Sequence, residues 1–473
     1  MKYDIIVIGS GFGGLICARQ LALAGRSVLV LERESQPGGC LQCYRRGSMT
    51  FDTGFHYVGG LAEGQALHEV FDTLGLMHLP WHRLSADGFD RVTIGGETFA
   101  HAEGFDGFAA TLAASFPSER DALQKYVRLL ENLPPMEQSG GISAFGYLSS
   151  LFRDPLLIDV LAATSMKMEL RRESLPLFTF AHVNSSYIQS SWRLQGGGAR
   201  IVESLVDDIR QAGGELFCQR EVDELIEREG RIVAARCHTG EVFEADTFVS
   251  NVHPALTLNW IRESTRIKPL MRRRIAALEN TGGMFTASLV LKPATLPYFN
   301  HNKYIFRRAN VWDEARPEAA PGGVDRVMVG CQVPQEGNFT QQVDLITPLP
   351  WEKCQSWQET SIGKRGEDYR QMKRELAHAC IELAETELPG LGKMVQQIYT
   401  STPLTWRDYT LSPQGSAFGI RKDCRQLLMT MLSPRTPISN LLLTGQSLMV
   451  HGLEGVAMTA LQTTREVLAS NHG

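Results

Sequence analysis

Gly9, Gly11 and Gly14 stand in the spacing G-x-G-x-x-G directly after the apolar run Ile5-Ile6-Val7-Ile8, and Glu32 closes a second apolar run. Residues of these types in this order suit the binding of a dinucleotide. Gly9 permits a tight turn, Gly11 lets the backbone approach a pyrophosphate, and Gly14 lets the following helix pack closely on the strand. The helix N-terminus then offers the phosphates its free N–H groups and positive dipole end. A carboxylate at Glu32 accepts hydrogen bonds from a ribose 2′-OH and repels a 2′-phosphate. An adenine dinucleotide such as NAD or FAD therefore fits, and NADP does not.

Cys40-Leu41-Gln42-Cys43 is a second candidate, a C-x-x-C pair near this unit in sequence. Such a pair relays electrons when it forms a redox dithiol. It follows a glycine doublet rather than opening a helix that would lower a thiol pKa, and no second pair completes a zinc site. The redox reading is the weaker one, and no metal site is expected.

The elements that must position these residues are legible at the start of the chain. Ile5 to Ile8 suit a buried parallel strand, Leu15 to Ala24 a helix, Gly25 a left-handed cap, and Ser27 to Leu31 the next strand. Pro37-Gly38-Gly39 forms a turn, and Phe51 to Tyr57 is expected to be a short strand entering a loop. From about 86 to 190 the rhythm becomes helical. Within it, Ser143 to Thr164 is either an amphipathic surface for a membrane or greasy substrate or, more simply, a helix on the core. After Gly196-Gly197-Gly198 follow a helix over Ala199 to Ala212 and strands at Leu216 to Cys218, Ile232 to Cys237 and Phe248 to Asn251. Strand-like pieces at Phe285 to Leu291 and Arg326 to Val333 precede a charged helix from Glu367 to Glu387. A strand at Leu441 to Thr444, a glycine turn and a closing helix end the chain. There is no internal repeat.

With 473 residues, 43% hydrophobic and 21% charged, two globular domains are the natural expectation. The net charge of -5, without a basic stripe, speaks against nucleic acid. Met1-Lys2-Tyr3 leads directly into the first strand, so no signal peptide is expected, and no apolar run reaches the roughly 18 residues of a spanning helix. Nine scattered cysteines suit reduced thiols in the cytoplasm.

Gly38-Gly39, the Phe51 to Tyr57 segment, and Leu443-Thr444-Gly445-Gln446 with His451-Gly452-Leu453-Glu454-Gly455-Val456 together resemble the phytoene desaturase family. Within it the chain is most similar to the carotenoid isomerase and retinol saturase branch, and Gly196 to Asn251 extends the resemblance over most of the chain. The resemblance implies an α/β fold: a discontinuous, glutathione reductase-like Rossmann domain for FAD over 1–85, 190–260 and 405–473. An inserted α+β substrate domain would span 86–189 and 261–404, with candidate membrane-facing helices at 143–164.

The resemblance also implies roles. Gly9, Gly11 and Gly14 would hold the pyrophosphate and Glu32 the adenosine ribose, with Phe12, Gly13 and Arg33 as further cofactor-binding residues. Gly38 and Gly39 would line the cofactor channel, and Val222 would lend backbone to the adenine. Gly445 would approach the pyrophosphate or ribityl chain, and Gly455 and Val456 the pyrimidine side of the flavin. His56 and Tyr57 are the first catalytic candidates, as acid or donor beside the ring, and His451 and Glu454 the second. Tyr187, Trp192 and Arg193 are candidates for a substrate tunnel. Many desaturases of the family carry a proline-glycine run where this chain has His451-Gly452-Leu453-Glu454, which leaves the reaction direction open.

The implied activity is saturation, desaturation or isomerisation of C=C bonds in an apolar polyene or isoprenoid. A flavin amine oxidase and a non-catalytic dinucleotide-binding protein are the alternatives, and nothing near His451 in sequence supplies the aromatic cage of the former. No second strand-glycine-helix unit is present for a resident nicotinamide. Electrons would come from another protein or from NAD(P)H bound transiently, or the flavin would cycle without net redox. Peripheral membrane contact and oligomeric state stay open.

Overall fold

The structure, a computed structural model, describes residues 2–47, 49–164, 167–312 and 321–470. Its first sheet has seven strands. Glu215–Phe217, Val28–Leu31, Lys2–Ile8 and Val242–Ser250 run parallel in that spatial order, and Leu441–Leu443 extends the parallel set beside Phe248 to Ser250. The start of Val242–Ser250 instead pairs antiparallel with Arg231–Cys237, which pairs with Val222–Arg228.

The unbroken apolar run at the start of the chain reflects burial on both faces. Ile5 and Val7 pack with Leu15, Leu21, Ile201, Ala460 and Val467, under the helices Phe12–Leu23, Ala199–Gln211 and Gly452–Ser470. Ile6 and Ile8 pack on the other face with Phe248, Leu258, Ile275 and Leu441. Full burial of each such side chain contributes about 1.5–3 kcal/mol. The helix Phe12–Leu23 starts three residues earlier than its apolar pattern suggests, because the glycines after Gly11 already adopt the helical path. Gly25, at φ +77°, ends it, with Arg26 N–H bonding Leu21 C=O at 3.2 Å.

All five parallel strands point their carboxyl ends to one edge. Gly9, Glu32, Asn251 and Gly445 follow there, each on the loop leaving its strand. This edge is where open parallel sheets bind ligands, since helix N-termini and turn amides converge on it.

A second seven-stranded sheet runs in the order Val395–Ser401, Gly283–Leu291, Gln342–Leu349, Arg326–Cys331, Asn302–Phe306, Asp90–Ile94, Glu97–His101. Neighbours are antiparallel except Asn302–Phe306 and Asp90–Ile94. One face packs against the helix Gly366–Ala384 through Ile305, Val327, Leu345, Cys380 and Ile381. The other presents Tyr304, Met328 and Ile346 to the helices between 105 and 189. The architecture is thus the α/β one expected, a Rossmann-type unit assembled from separated segments with an α+β unit inserted.

Four expectations change in detail. The stretch from 86 to 190 is not purely helical: Asp90–Ile94 and Glu97–His101 form a hairpin across Gly95-Gly96, whose φ angles of +58° and +91° suit the tightest hairpin turns. Phe51 to Tyr57 is not one strand. Met49–Asp52 pairs with Cys43–Arg46, and Thr53 to Tyr57 leave the ladder. The charged helix spans Gly366–Ala384 rather than Glu367 to Glu387.

Ser143 to Thr164 forms two helices, Ala144–Leu151 and Pro155–Ala162, because Ser143 and Asp154 each cap a new start and Pro155 fits a first turn. Leu148, Leu157 and Val160 are fully buried there, so the stretch contributes core. Among the described residues no helix is long and apolar enough to cross a membrane.

Candidate functional site

A cavity of about 770 Å³ begins at the carboxyl edge of the parallel sheet and reaches the buried face of the second sheet. At one end, Gly9 turns at φ +90° and the helix Phe12–Leu23 starts behind Gly11 with no side-chain cap, leaving its first N–H groups for a ligand. Gly14 is off the cavity wall, beneath it. A Cβ there would lie 2.1 Å from the Gly9 carbonyl oxygen, so the helix sits directly on the strand end. Gly38 N–H bonds the Ser10 carbonyl at 3.1 Å, which seats the Gly38-Gly39 turn over the loop that carries Gly11.

Asn251 was no candidate in the sequence beyond ending a strand, yet it sits at the centre of this loop cluster. A Cβ on Gly11 would meet its Nδ2 at 2.7 Å, and one on Gly13 or Gly445 would meet its Oδ1 at 2.9 or 2.7 Å. The amide thus occupies the space that three missing side chains leave. The only sequence signal was its place directly after an apolar strand.

Glu32 is held by Ser10 N–H at 2.9 Å and by the Ser10 hydroxyl on Oε2, and by Glu34 N–H at 2.8 Å on Oε1. These donors fix an acceptor at the cavity wall, where Arg33, Arg220 and Val222 also lie. Arg33 pairs with Glu34 at 2.5 Å and reaches the Asp408 carbonyl. The wall then runs past Gly445 to the start of the helix Gly452–Ser470, where Glu454, Gly455 and Val456 face it. Acceptor at one end, uncapped helix start and close-packed glycine loops in the middle, and a second helix start beyond: this donor set fits an extended adenine dinucleotide.

The far end is mostly apolar, walled by Phe178, Val183, Tyr187, Met328, Phe418 and Met449. His56, Tyr57, His451 and Glu454 share it. Burial pushes His56 down to about 4, with Arg193 adding to the effect, and burial pushes His451 to about 4 as well. Both imidazoles are neutral at pH 7, which differs from the near-neutral titration an exposed histidine shows. His451 donates Nε2–H to the Lys167 carbonyl at 2.8 Å, and its ring lies 4.6 Å from that of Phe418. Glu454 accepts the Ser186 hydroxyl at 2.7 Å, and burial raises its carboxyl.

Tyr57 donates its hydroxyl to Asp90 at 2.9 Å and meets the Tyr304 hydroxyl at 2.6 Å. Asp90 also pairs with Lys167 at 2.9 Å and accepts from Asn302 Nδ2 at 2.8 Å. Sequence reasoning missed Lys167, Asp90 and Tyr304. The one available signal was a lysine inside the apolar stretch Ser165-Met166-Lys167-Met168.

Of the tunnel candidates, Tyr187 lines the cavity, with its ring 4.7 Å from Tyr57. Trp192 does not: its indole bonds the Ser190 hydroxyl and Arg83 lies over it. Arg193 is buried and ties the His301 carbonyl and Asn302 together, so it braces the second sheet. It also borders a side cavity of about 20 Å³ shared with His56, Asp52 and Asp344. Cys40 reaches the main cavity and Cys43 bonds Asp52 at 3.2 Å. Burial pushes the Cys40 thiol up to about 11 and Cys43 higher still, so neither is poised as a thiolate.

Residues 7–74 match the model of an NAD(P)-binding Rossmann-like domain. Over 99% of its length the chain is 26% identical to the all-trans-retinol 13,14-reductase of Rattus norvegicus, covering 86% of that protein. It is 22% identical to the chloroplastic prolycopene isomerase of Daucus carota, over 99% of this chain and 80% of the other. The solved structure of cyclohexylamine oxidase from Brevibacterium oxydans superposes with a TM-score of 0.64 over 100% of both chains at 15% identity, a likeness of fold. The expected resemblance to the carotenoid isomerase and retinol saturase branch is borne out by these relatives.

Proposed function

We propose that this relative of retinol reductases and prolycopene isomerases is an FAD-dependent oxidoreductase that saturates, desaturates or isomerises C=C bonds of an apolar polyene or isoprenoid. The carrying observation is the single cavity joining the Glu32 acceptor and the glycine loops to the apolar chamber at Phe178, Met328 and Phe418. FAD, when bound, supplies hydride transfer and electron storage.

The chain's own part is to bind, orient and exclude water. Gly9, Gly11, Phe12, Gly13 and Gly14 form the pyrophosphate cradle, Glu32 takes the ribose, and Arg33 and Val222 flank the adenosine. Gly38, Gly39, Gly445, Gly455 and Val456 border the rest of the cofactor path. His56, Tyr57, His451 and Glu454 form the polar side of the reaction chamber. Segments 1–85, 190–260 and 405–473 serve the cofactor, and 86–189 with 261–404 the substrate. NAD(P)H is the proposed transient reductant. Nine unpaired thiols support a cytoplasmic location. The apolar residues of Ser143 to Thr164 are in the core or, as Phe145, Tyr147, Leu151 and Leu156, packed partly buried against it.

The amine oxidase alternative meets an obstacle in the chamber. The aromatic faces of Tyr57 and Tyr187 that would receive a cationic amine already hold the Lys167 ammonium, at 5.2 and 3.9 Å. The test is spectroscopic. Purified protein is expected to carry yellow flavin bands that bleach anaerobically with NADPH, NADH or dithionite, and a retinoid or carotenoid should restore them. An isomerase would instead change the polyene spectrum with no net change in the flavin. A colourless protein that takes up no FAD overturns the reading, and oxidation of amines in place of polyenes replaces it with the alternative.

A further inference from the structure

The apolar end of the cavity carries a buried ion pair whose presence there calls for a reason. Lys167 Nζ lies 2.9 Å from Asp90 Oδ2, with the two side chains 5% and 0% exposed. Desolvating two such charges costs several kcal/mol per ion, and apolar residues of similar volume brace a core at least as well. Asp90 receives Lys167 and the Tyr57 hydroxyl on Oδ2 and Asn302 on Oδ1, so the carboxylate is fixed and fully engaged. Lys167 has three N–H donors, of which Asp90 takes one. The ammonium otherwise rests on the Tyr187 ring at 3.9 Å and borders the cavity.

We propose that Lys167 is the proton donor of the reaction in this chamber, with Asp90 and Tyr57 as its positioning residues. The proposal rests on the FAD and polyene reading above. In the saturating direction the π bond of one C=C breaks. One carbon receives a hydride equivalent from reduced FAD, with its two electrons, and the neighbouring carbon receives a proton from Lys167 Nζ. The lysine is left as a neutral amine, which regains its proton from solvent after product leaves. Desaturation is the reverse, with the amine accepting the proton.

The physical advantage lies in the burial. Burial lowers the Lys167 pKa, which makes the ammonium a stronger acid than a surface lysine, while the Asp90 carboxylate opposes that shift. The titratable side chains around it are Asp90, Tyr57, Tyr187, Tyr304, His101 and His451. Burial raises the three phenols and lowers both imidazoles to about 4. Glu454, raised by burial, and Lys422, lowered by burial, also lie near the chamber, so the alkaline loss of rate that reports Lys167 is the one that Lys167→Arg abolishes.

Lys167→Arg separates a proton donor from a structural brace. The guanidinium keeps the charge and the Asp90 contact but, with a pKa above about 12, cannot release a proton. Anaerobic rapid mixing of reduced holoenzyme with a polyene is expected to show reoxidation slowed by about 100-fold or more, with the alkaline limb gone. The absorbance shift of the polyene on binding to apoprotein should be unchanged. A second variant, Lys167→Met with Asp90→Asn, leaves no buried charge and should fold, bind polyene and be equally slow. Wild-type rate and pH profile in Lys167→Arg would overturn the assignment alone. If no polyene reoxidises the reduced wild-type enzyme, this inference falls alone; if in addition no polyene changes its own spectrum with the holoenzyme, the FAD and polyene reading falls with it.

Discussion

Gly14 lies against Gly9 so closely that a Cβ on Gly14 would stand 2.1 Å from the Gly9 carbonyl oxygen. That contact sets the helix Phe12–Leu23 on the end of the first strand and fixes where its free N–H groups point. Backbone cannot yield as a flexible side chain can. Gly14→Ala must therefore push the helix off the strand, at a cost of about 1–3 kcal/mol or more. The expected outcome is a lower melting temperature together with loss of bound flavin, read as the ratio of flavin to protein absorbance. A variant with full flavin content would show that the helix start does not hold the cofactor.

Glu32 tests the other half of the cradle. Its carboxylate is held by two backbone N–H groups and the Ser10 hydroxyl, so it reaches the cavity as a fixed acceptor. Glu32→Gln keeps the shape but loses the charge and turns one acceptor into a donor toward Ser10 or Glu34. A hydrogen bond to a charged group contributes about 1.5–3 kcal/mol, so FAD affinity should fall roughly 10- to 100-fold in titrations of apoprotein. Unaltered affinity would remove Glu32 from the ribose.

The contrast between these residues and those around Lys167 shows which parts of the site a sequence can carry. Gly9 to Glu32 is one strand, turn, helix and strand, and local spacing encodes its geometry. Gly445 and Val456 were reachable because Leu441 to Leu443 reads as a buried strand and the resemblance supplied its partner. Asn251 shows a limit: its type is ordinary, and its role comes from lying among Gly11, Gly13 and Gly445, which belong to other segments. Lys167 and Asp90 are separated by 77 residues, and Asp90 sits on a hairpin whose charged first residues hid it among helices. No periodicity in either segment announces the other, so the pair became visible only when the second sheet brought Tyr304 beside Tyr57.

His56 borders both the main cavity and the small one holding Asp52 and Asp344. Burial keeps it neutral, so it can offer an N–H and a nitrogen lone pair but no positive charge. His56→Ala is expected to retain bound FAD and to lose most turnover, by about 100-fold, while polyene binding persists. Full activity in that variant would exclude His56 from the chemistry.

Acid sensitivity follows from the buried imidazoles. Burial lowers His56, His101, His253 and His451 to about 4 and His301 to about 3, against about 6.5 in the unfolded chain. Between those values the unfolded state binds more protons, so each ring contributes stability that is present above pH 6.5 and is lost as pH falls toward 4. Asp52 and Asp344, raised by burial to about 6 and about 7, and Glu34 and Glu454, also raised by burial, act in the opposite sense, but the five imidazoles outnumber these four carboxyls. Each pKa unit is worth about 1.4 kcal/mol per group. The melting temperature should therefore drop steeply below about pH 6, and a flat profile from pH 7 to 4.5 would contradict this burial.

Lys422 links the acid and base chemistry of the core to the cofactor path. Its Nζ donates to the carbonyls of Thr430 at 2.9 Å, Ser447 at 2.8 Å and Leu448 at 3.1 Å, and burial lowers its pKa to about 7. Two of those acceptors lie on the loop that leaves Gly445, so the amine ties that loop to the segment near Thr430. Lys422→Met fills the volume but leaves the Thr430 and Ser447 carbonyls without this donor, each at a cost of about 1–3 kcal/mol where water cannot replace it, while the Leu448 carbonyl keeps the Leu432 N–H. The expected result is a lower melting temperature and weaker FAD retention on gel filtration. Because Lys422 is off the substrate chamber, saturating FAD should restore the polyene reaction. If saturating FAD did not restore it, the Gly445 loop would have to shape the chamber as well as the cofactor path.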